Sequence, residues 1–148
     1  MYEFKYKTIL KYKKQLEEFL QQDFAASKKR WSIERDKLET CYERWQKYIH
    51  DWREAQKGTL SIIEVDLYQD YMVALKQQMT AQTQVVKSCL EDMDKKRSLL
   101  LEGVKERKTL EQLDEKYLSE YLAHHKKLES KFLNDIATIR YNLDRAES

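Results

Sequence analysis

The chain has 148 residues, of which 36% are charged and 41% apolar, and it contains no proline and only two glycines. Strands need turns, and turns are rich in glycine and proline, so this composition excludes a strand-rich fold and favours long helices. The 28 lysine and arginine residues nearly balance the 26 acidic ones, so the net charge of +2 argues against nucleic acid or an anionic membrane surface as the partner.

The first predicted helix spans about residues 4–56, where large apolar side chains recur at seven-residue intervals. The row is Leu10, Glu17, Phe24, Trp31, Leu38, Trp45 and Trp52, with Glu17 as its one polar member. A row of this kind faces one partner helix in a coiled coil. Three tryptophans with Tyr42 and Tyr48 are more aromatic surface than one seam can hide, so we expect part of it to meet a partner.

A corner is predicted at residues 57–61, the only segment whose residue types favour the end of one helix and the start of another. Gly58 can adopt the positive φ that closes a helix. Ser61 and Glu64 have the spacing of a capping box, which starts the next helix. A connection of about five residues between two long helices predicts that they are antiparallel neighbours.

The second predicted helix spans about residues 62–146. Its apolar row is unbroken over Val65, Met72, Met79, Val86, Met93 and Leu100. Pairing about the corner sets Trp52 near Val65 and Trp45 near Met72, so adaptable methionines face bulky indoles. Beyond Leu100 the row meets Arg107 and Asp114, and we expect the apolar stripe to shift phase near Gly103.

The fold class that these elements predict is all-α. Residues 1–148 form a single coiled-coil domain, a long two-helix antiparallel hairpin with a C-terminal helical overhang. By the predicted register the first helix covers the second only as far as about residue 114. The apolar side chains that lack intrachain cover are Tyr117, Tyr121, Leu128, Phe132, Ile136 and Ile139. Such a stripe implies a partner or self-association.

No pattern of catalytic chemistry is present. The three histidines have no metal or nucleophile spacing with acidic residues or with Cys41 and Cys89, and no glycine-rich phosphate loop exists. We therefore predict no catalytic residue, no metal and no cofactor, and an enzyme is the least favoured class. Since no window is apolar enough to span a bilayer and the N-terminus lacks a signal-peptide core, we expect a cytoplasmic protein without direct membrane insertion.

Several segments, taken in order, resemble the FliJ family of flagellar export proteins. The opening Phe4-x-Tyr6-x-x-Ile9-Leu10 is similar to the family's aromatic and aliphatic start, and Gly58 followed by 67–71 (Leu-Tyr-Gln-Asp-Tyr) is similar to its glycine and tyrosine-glutamine segment. The charged run 106–116 and the stretch 133–137 (Leu-Asn-Asp-Ile-Ala) resemble the family's C-terminal part. The likeness covers the whole chain.

This resemblance implies a stalk-like protein that acts with three kinds of partner. They are the hexameric flagellar export ATPase, the cytoplasmic domain of the membrane export gate, and export chaperones. It also implies a position in the cytoplasm, peripheral at the inner face of the cell membrane. The implied gate contacts are Cys41, Trp45, Tyr48, Tyr71, Leu75, Gln78 and Gln82. The implied ATPase contacts are Phe4, Tyr6 and Ile9 with the overhang residues Tyr117, Tyr121, Leu128, Phe132, Ile136 and Ile139.

Other readings of the sequence stay open. A generic structural or self-assembling coiled coil would pair its overhang with that of a second copy. The related stalk protein of a virulence type III secretion system would share the same helical pattern. A nucleic-acid-binding hairpin arm, of the kind that some tRNA synthetases carry, is disfavoured because the charge is nearly balanced.

Overall fold

The computed structural model describes residues 1–147, which contain two helices, α1 (Lys7–Gln56) and α2 (Ile62–Glu147). The helices pack against each other without a strand in this described part, which confirms the predicted helical hairpin. The chain separates into two compact units, one of Met1–Glu17 with Gly103–Ser148 and one of Glu18–Glu102. The prediction of a single domain stays a prediction. Neither helix has, within residues 1–147, an apolar stretch long enough to cross a membrane.

In the unit Glu18–Glu102 the two helices bury one stripe each. Shielded side chains recur three and four residues apart on both helices, and they include the predicted rows, with Leu75 the most buried at 3% exposed. Two polar contacts across the seam give the register: Gln82 Nε2 donates to the Glu34 backbone oxygen over 2.9 Å, and Lys96 Nζ lies 2.8 Å from Asp23 Oδ2. The predicted pairing is therefore right to within about one helical turn.

In the other unit the seam contains charged residues. The shielded positions on α2 keep the three–four spacing over Gly103, Arg107, Leu110, Asp114, Tyr117 and Tyr121. The predicted phase shift near Gly103 is therefore wrong, and the seven-residue row continues through Arg107 and Asp114. Each of these polar side chains has a partner: Arg107 Nε donates to the buried Glu17 carboxylate, and Asp114 accepts from Tyr2.

The corner at residues 57–61 is confirmed in position but differs in conformation. Ser61 Oγ accepts from the Glu64 N–H over 3.2 Å, as the capping box predicts. The positive φ predicted for Gly58 is wrong. Instead the N–H groups of Lys57 and Gly58 donate to the carbonyls of Glu54 and Ala55, both over 3.2 Å. These i→i+3 bonds tighten the last turn of α1 and satisfy its final carbonyls, so no left-handed residue is required.

The N-terminal residues cover more of α2 than predicted. α1 begins at Lys7 rather than at residue 4, and the six residues before it run non-helically. Non-helical chain spans up to about 3.3 Å per residue, against 1.5 Å in a helix, so Tyr2 reaches Tyr121 and Phe4 reaches Tyr117. The uncovered overhang therefore begins after Tyr121 rather than after residue 114. Every residue from Leu122 to Glu147 is exposed.

Candidate partner-binding surfaces

The predicted gate contacts form one surface, which we call the corner face. It consists of Cys41, Trp45, Tyr48, Tyr71, Leu75, Gln78 and Gln82, all within the unit Glu18–Glu102. The four residues from α2 follow a four–three–four spacing, which places them on one side of that helix. The three residues from α1 are half-buried seam positions. The hairpin thus brings the whole predicted set to neighbouring positions on its two helices.

An aromatic cluster occupies one part of the corner face. The ring centroid of Tyr48 lies 4.3 Å from that of Tyr71 and 5.4 Å from that of Tyr68, and Trp52 packs on Tyr68 at 5.0 Å. Burial raises the pKa of Tyr48, with smaller contributions from neighbouring tyrosines and Asp51. Tyr48 is therefore a neutral packing residue. Tyr71 differs, since 48% of it is exposed and its ring is half available to a partner.

A shallow groove between the helices occupies the rest of the corner face. Cys41, Gln78 and Gln82 line it together with Lys37, Thr40, Arg44, Ala81 and Val85. The Gln82 side chain is fixed, because its amide donates to the Glu34 carboxylate over 2.7 Å. This hydrogen bond, with a second from Lys37, lowers the pKa of Glu34. The groove therefore has ordered polar groups beside a small apolar floor.

The structure assigns different burial to the predicted gate residues. Leu75 is part of the core and has almost no surface to offer, while Tyr71 and Gln78 are exposed and the other four are half-buried. Sequence reasoning missed the groove residues Lys37 and Arg44. A signal was present, since both follow Arg30 at seven-residue intervals on the side of α1 that faces α2.

The predicted ATPase contacts belong to the other unit, and we call them the terminal stripe. They are Phe4, Tyr6, Ile9, Tyr117, Tyr121, Leu128, Phe132, Ile136 and Ile139. Phe4 is only 7% exposed and packs on Tyr6 at 5.8 Å and on Tyr117 at 6.1 Å between ring centroids. It is therefore a core residue that shields Tyr117. Ile9 is half exposed, so the N-terminal residues contribute both packing and free surface.

Tyr2, which the sequence reasoning did not select, ties the N-terminal residues to α2. Its hydroxyl donates to Asp114 Oδ1 over 2.6 Å, and its ring lies 5.5 Å from that of Tyr121. Burial and the contact with the Asp114 carboxylate raise the pKa of Tyr2 to about 12. The tyrosine is therefore neutral and a hydrogen-bond donor at physiological pH.

The overhang carries the exposed part of the terminal stripe. Leu128, Phe132, Ile136 and Ile139 are all exposed. So are other apolar residues that the prediction did not include, namely Leu122, Leu133 and Leu143 on the overhang and Leu118 just before it. The three–four spacing of the hairpin seam can be continued along α2 beyond Tyr121. Most of these exposed apolar residues lie one residue after a position of that continued series. Since one residue turns a helix by about 100°, this apolar face points away from the seam direction. A partner of the overhang therefore does not simply extend α1.

The described residues contain no group of three or more histidine, cysteine, aspartate or glutamate side chains that could hold a metal ion. Cys41 and Cys89 are both free and half-buried at seam positions.

A comparison with protein-family models matches residues 2–146 to the family described as Flagellar FliJ protein. The chain belongs to the FliJ family. Membership makes this FliJ-family protein a component of the flagellar export apparatus, which interacts within that apparatus. Proteins of this family are structural, non-enzymatic export components. The match confirms the resemblance seen in the sequence. Neither a curated protein nor a solved structure was found to match the chain.

Proposed function

We propose that this FliJ-family protein is a stalk-like component that couples the hexameric export ATPase to the cytoplasmic domain of the export gate and escorts export chaperones. It would act in the cytoplasm, at the inner face of the cell membrane. The observation that supports this proposal is the presence of two surfaces with exposed apolar side chains, Tyr71 on the corner face and the overhang residues of the terminal stripe, each in a different compact unit of one chain. A protein that connects two partners needs two such surfaces, whereas a spacer needs none.

The corner face is the proposed gate site. Tyr71 and Gln78 supply the exposed contacts, and the half-buried Cys41, Trp45, Tyr48 and Gln82 form the surface around them. Tyrosine side chains offer a large apolar ring with a polar tip and lose little entropy on binding, which makes them frequent anchors in interfaces. Leu75 contributes by holding α2 against α1 rather than by touching the gate.

The terminal stripe is the proposed ATPase site. Burying one leucine, isoleucine or phenylalanine side chain is worth about 1.5–3 kcal/mol, so the exposed residues of the overhang give a strong drive to dock. A helix with one apolar face can lie in a groove of a partner, and its contacts with a ring of subunits would favour one subunit interface at a time. Export chaperones would use the same overhang when the ATPase does not occupy it.

Gate binding is tested with Tyr71→Ala against the matched variant Tyr42→Ala. Tyr42 is 50% exposed, nearly the same as Tyr71, but it lies outside the corner face. We expect Tyr71→Ala to weaken the binding of the purified gate domain about tenfold or more, measured by calorimetry, and Tyr42→Ala to leave it unchanged. Equal effects of the two variants would contradict the assignment of the gate site.

ATPase binding is tested with Phe132→Ala against Tyr141→Ala. Both aromatic side chains are 64% exposed on the overhang, but Tyr141 points about 180° away from Phe132. We expect Phe132→Ala alone to reduce stimulation of the export ATPase. If Phe132→Ala instead abolishes self-association of the free protein and leaves ATPase stimulation intact, the self-assembling coiled coil is the better description.

A further inference from the structure

The basic side chains along the groove of the corner face are only partly matched by acidic residues of the neighbouring helix. On α1, Arg30, Lys37 and Arg44 follow one another at seven-residue intervals and so occupy the same side of the helix. Across from Arg30, α2 supplies Asp92, whose Oδ2 lies 3.8 Å from Arg30 Nη1. The first of the three cations therefore has an acidic partner on the neighbouring helix.

Among the described residues, the next two cations have no acidic partner on α2. The same register brings Val85 across from Lys37 and Gln78 across from Arg44, and all four residues line one groove. Between Asp70 and Glu91, α2 has no aspartate or glutamate at all, although more than a third of the chain is charged. Lys37 meets only Glu34 of its own helix, at 3.2 Å. Arg44 makes no hydrogen bond or ion pair with any residue that the structure describes.

The floor of this groove is small and mainly apolar. Cys41, Ala81 and Val85 are the apolar side chains that line it beside the two cations and the glutamines 78 and 82. Lys37 and Arg44 are two helical turns apart, about 10 Å, so carboxylates about two turns apart on a bound helix would match them. An apolar side chain between those carboxylates would enter the groove over Cys41 and Ala81.

We propose that the corner face receives an acidic amphipathic segment of its partner, whose carboxylates pair with Arg44 and Lys37 while an apolar side chain fills the groove. The inference rests on the proposed function, in which the partner is the cytoplasmic domain of the export gate. It adds the chemistry of the recognised segment and two residues, Lys37 and Arg44, that determine specificity. Arg44 is the stronger determinant, because its guanidinium has no partner within residues 1–147 and can bind a carboxylate through two parallel hydrogen bonds.

The test measures binding of the purified gate domain to charge variants by calorimetry. We expect Arg44→Glu to weaken binding by about tenfold or more, and Lys37→Glu by a smaller factor, while Arg44→Lys retains most of it. Lys29→Glu is the matched control, since Lys29 is an exposed cation of α1 outside the groove. Wild-type affinity should fall as salt rises from about 50 to 500 mM, and the Arg44→Glu variant should lose most of that dependence.

A second variant separates folding from recognition. Val85→Glu places a carboxylate across from Lys37, as Asp92 lies across from Arg30, so it should leave the melting temperature unchanged or higher while it weakens gate binding. If the gate domain binds all these variants as it binds Lys29→Glu, the inference is overturned and the proposed function stands. If the wild-type protein does not bind the gate domain at all, the proposed function fails and the inference fails with it.

Discussion

The pair of Glu17 and Arg107 illustrates how single residues set the packing of this hairpin. Both occupy seam positions, and Arg107 also donates to Glu111 over 2.7 Å, so the three side chains satisfy one another. These contacts raise the pKa of Arg107 above its ordinary value. A polar seam residue adds little stability compared with a hydrophobic one, but it penalises other registers, in which its charge would be buried alone. The same argument applies to Tyr2 and Asp114.

Gly58→Ala should stabilise the protein by about 0.4–1 kcal/mol. Gly58 does not adopt a positive φ, and an added Cβ would lie 3.8 Å from the Ala55 oxygen, an ordinary contact. Alanine then restricts the unfolded chain without straining the folded one. Urea unfolding measures the change, and Ser61→Ala, which removes the cap of α2, should lower stability by about 0.5–2 kcal/mol in the same assay. A destabilising Gly58→Ala would show that the corner needs a left-handed glycine after all.

The hydrogen bond from Gln82 to Glu34 should make stability depend on pH in the acidic range. It is the largest cause of the lowered pKa of Glu34, whose ordinary value is 4.5. Because the folded-state pKa is depressed, the stabilisation is present above the unfolded pKa and is lost as the pH falls through the folded one. Gln82→Met should therefore reduce the loss of stability between about pH 6 and pH 3, compared by urea unfolding.

The control for this prediction is Gln78→Met. Gln78 is an exposed glutamine of the same groove that makes no hydrogen bond with the described residues. Its replacement should leave the acid dependence as in the wild type. If Gln82→Met and Gln78→Met show the same dependence, the Gln82 contact does not control the titration of Glu34.

At the scale of the helices, seven-residue periodicity was enough to predict α1, α2 and an approximate register, and the glycine with the capping-box spacing predicted the corner. The periodicity failed at Arg107 and Asp114. It expects apolar residues in a seam and carries no information on the hydrogen bonds by which Glu17 and Tyr2 satisfy these two polar side chains. It also extended α1 to Phe4, since composition does not reveal that the first six residues run non-helically. For the surfaces, family resemblance selected residues that lie close together. It did not distinguish Leu75 and Phe4, which are buried in the core, from Tyr71 and Phe132, which are exposed.

Truncation of α2 should separate the overhang from the hairpin. A chain that ends after Tyr121 loses the exposed run from Leu122 to Glu147, so its unfolding free energy should change by no more than about 0.5 kcal/mol. A chain that ends after Asp114 also loses Tyr117, which packs on the buried Phe4, and should be less stable by roughly 1–3 kcal/mol. Circular dichroism melts measure both changes. Equal stability of the two truncations would mean that the N-terminal residues add nothing to the fold.

At the scale of the whole molecule, the two proposed surfaces belong to different compact units, so changes to them should act independently. Tyr71→Ala should alter gate affinity and leave ATPase stimulation unchanged. Truncation after Tyr121 should alter ATPase stimulation and leave gate affinity unchanged. In the combined variant the gate affinity should equal that of Tyr71→Ala alone to within about 0.3–0.5 kcal/mol, and ATPase stimulation should equal that of the truncation alone. A marked departure from these values, measured with the purified partners, would reveal energetic coupling between the sites in the free protein.

The exposed run from Leu122 to Glu147 has a consequence for the lifetime of the protein in the cell. It is a helix of 26 residues without tertiary burial, so its turns open at little more than the cost of helix fraying. Proteases cleave segments that open in this way. We expect limited proteolysis to remove this run first from the free protein, and a bound partner to protect it. Degradation would then adjust the amount of the protein to the number of partners available.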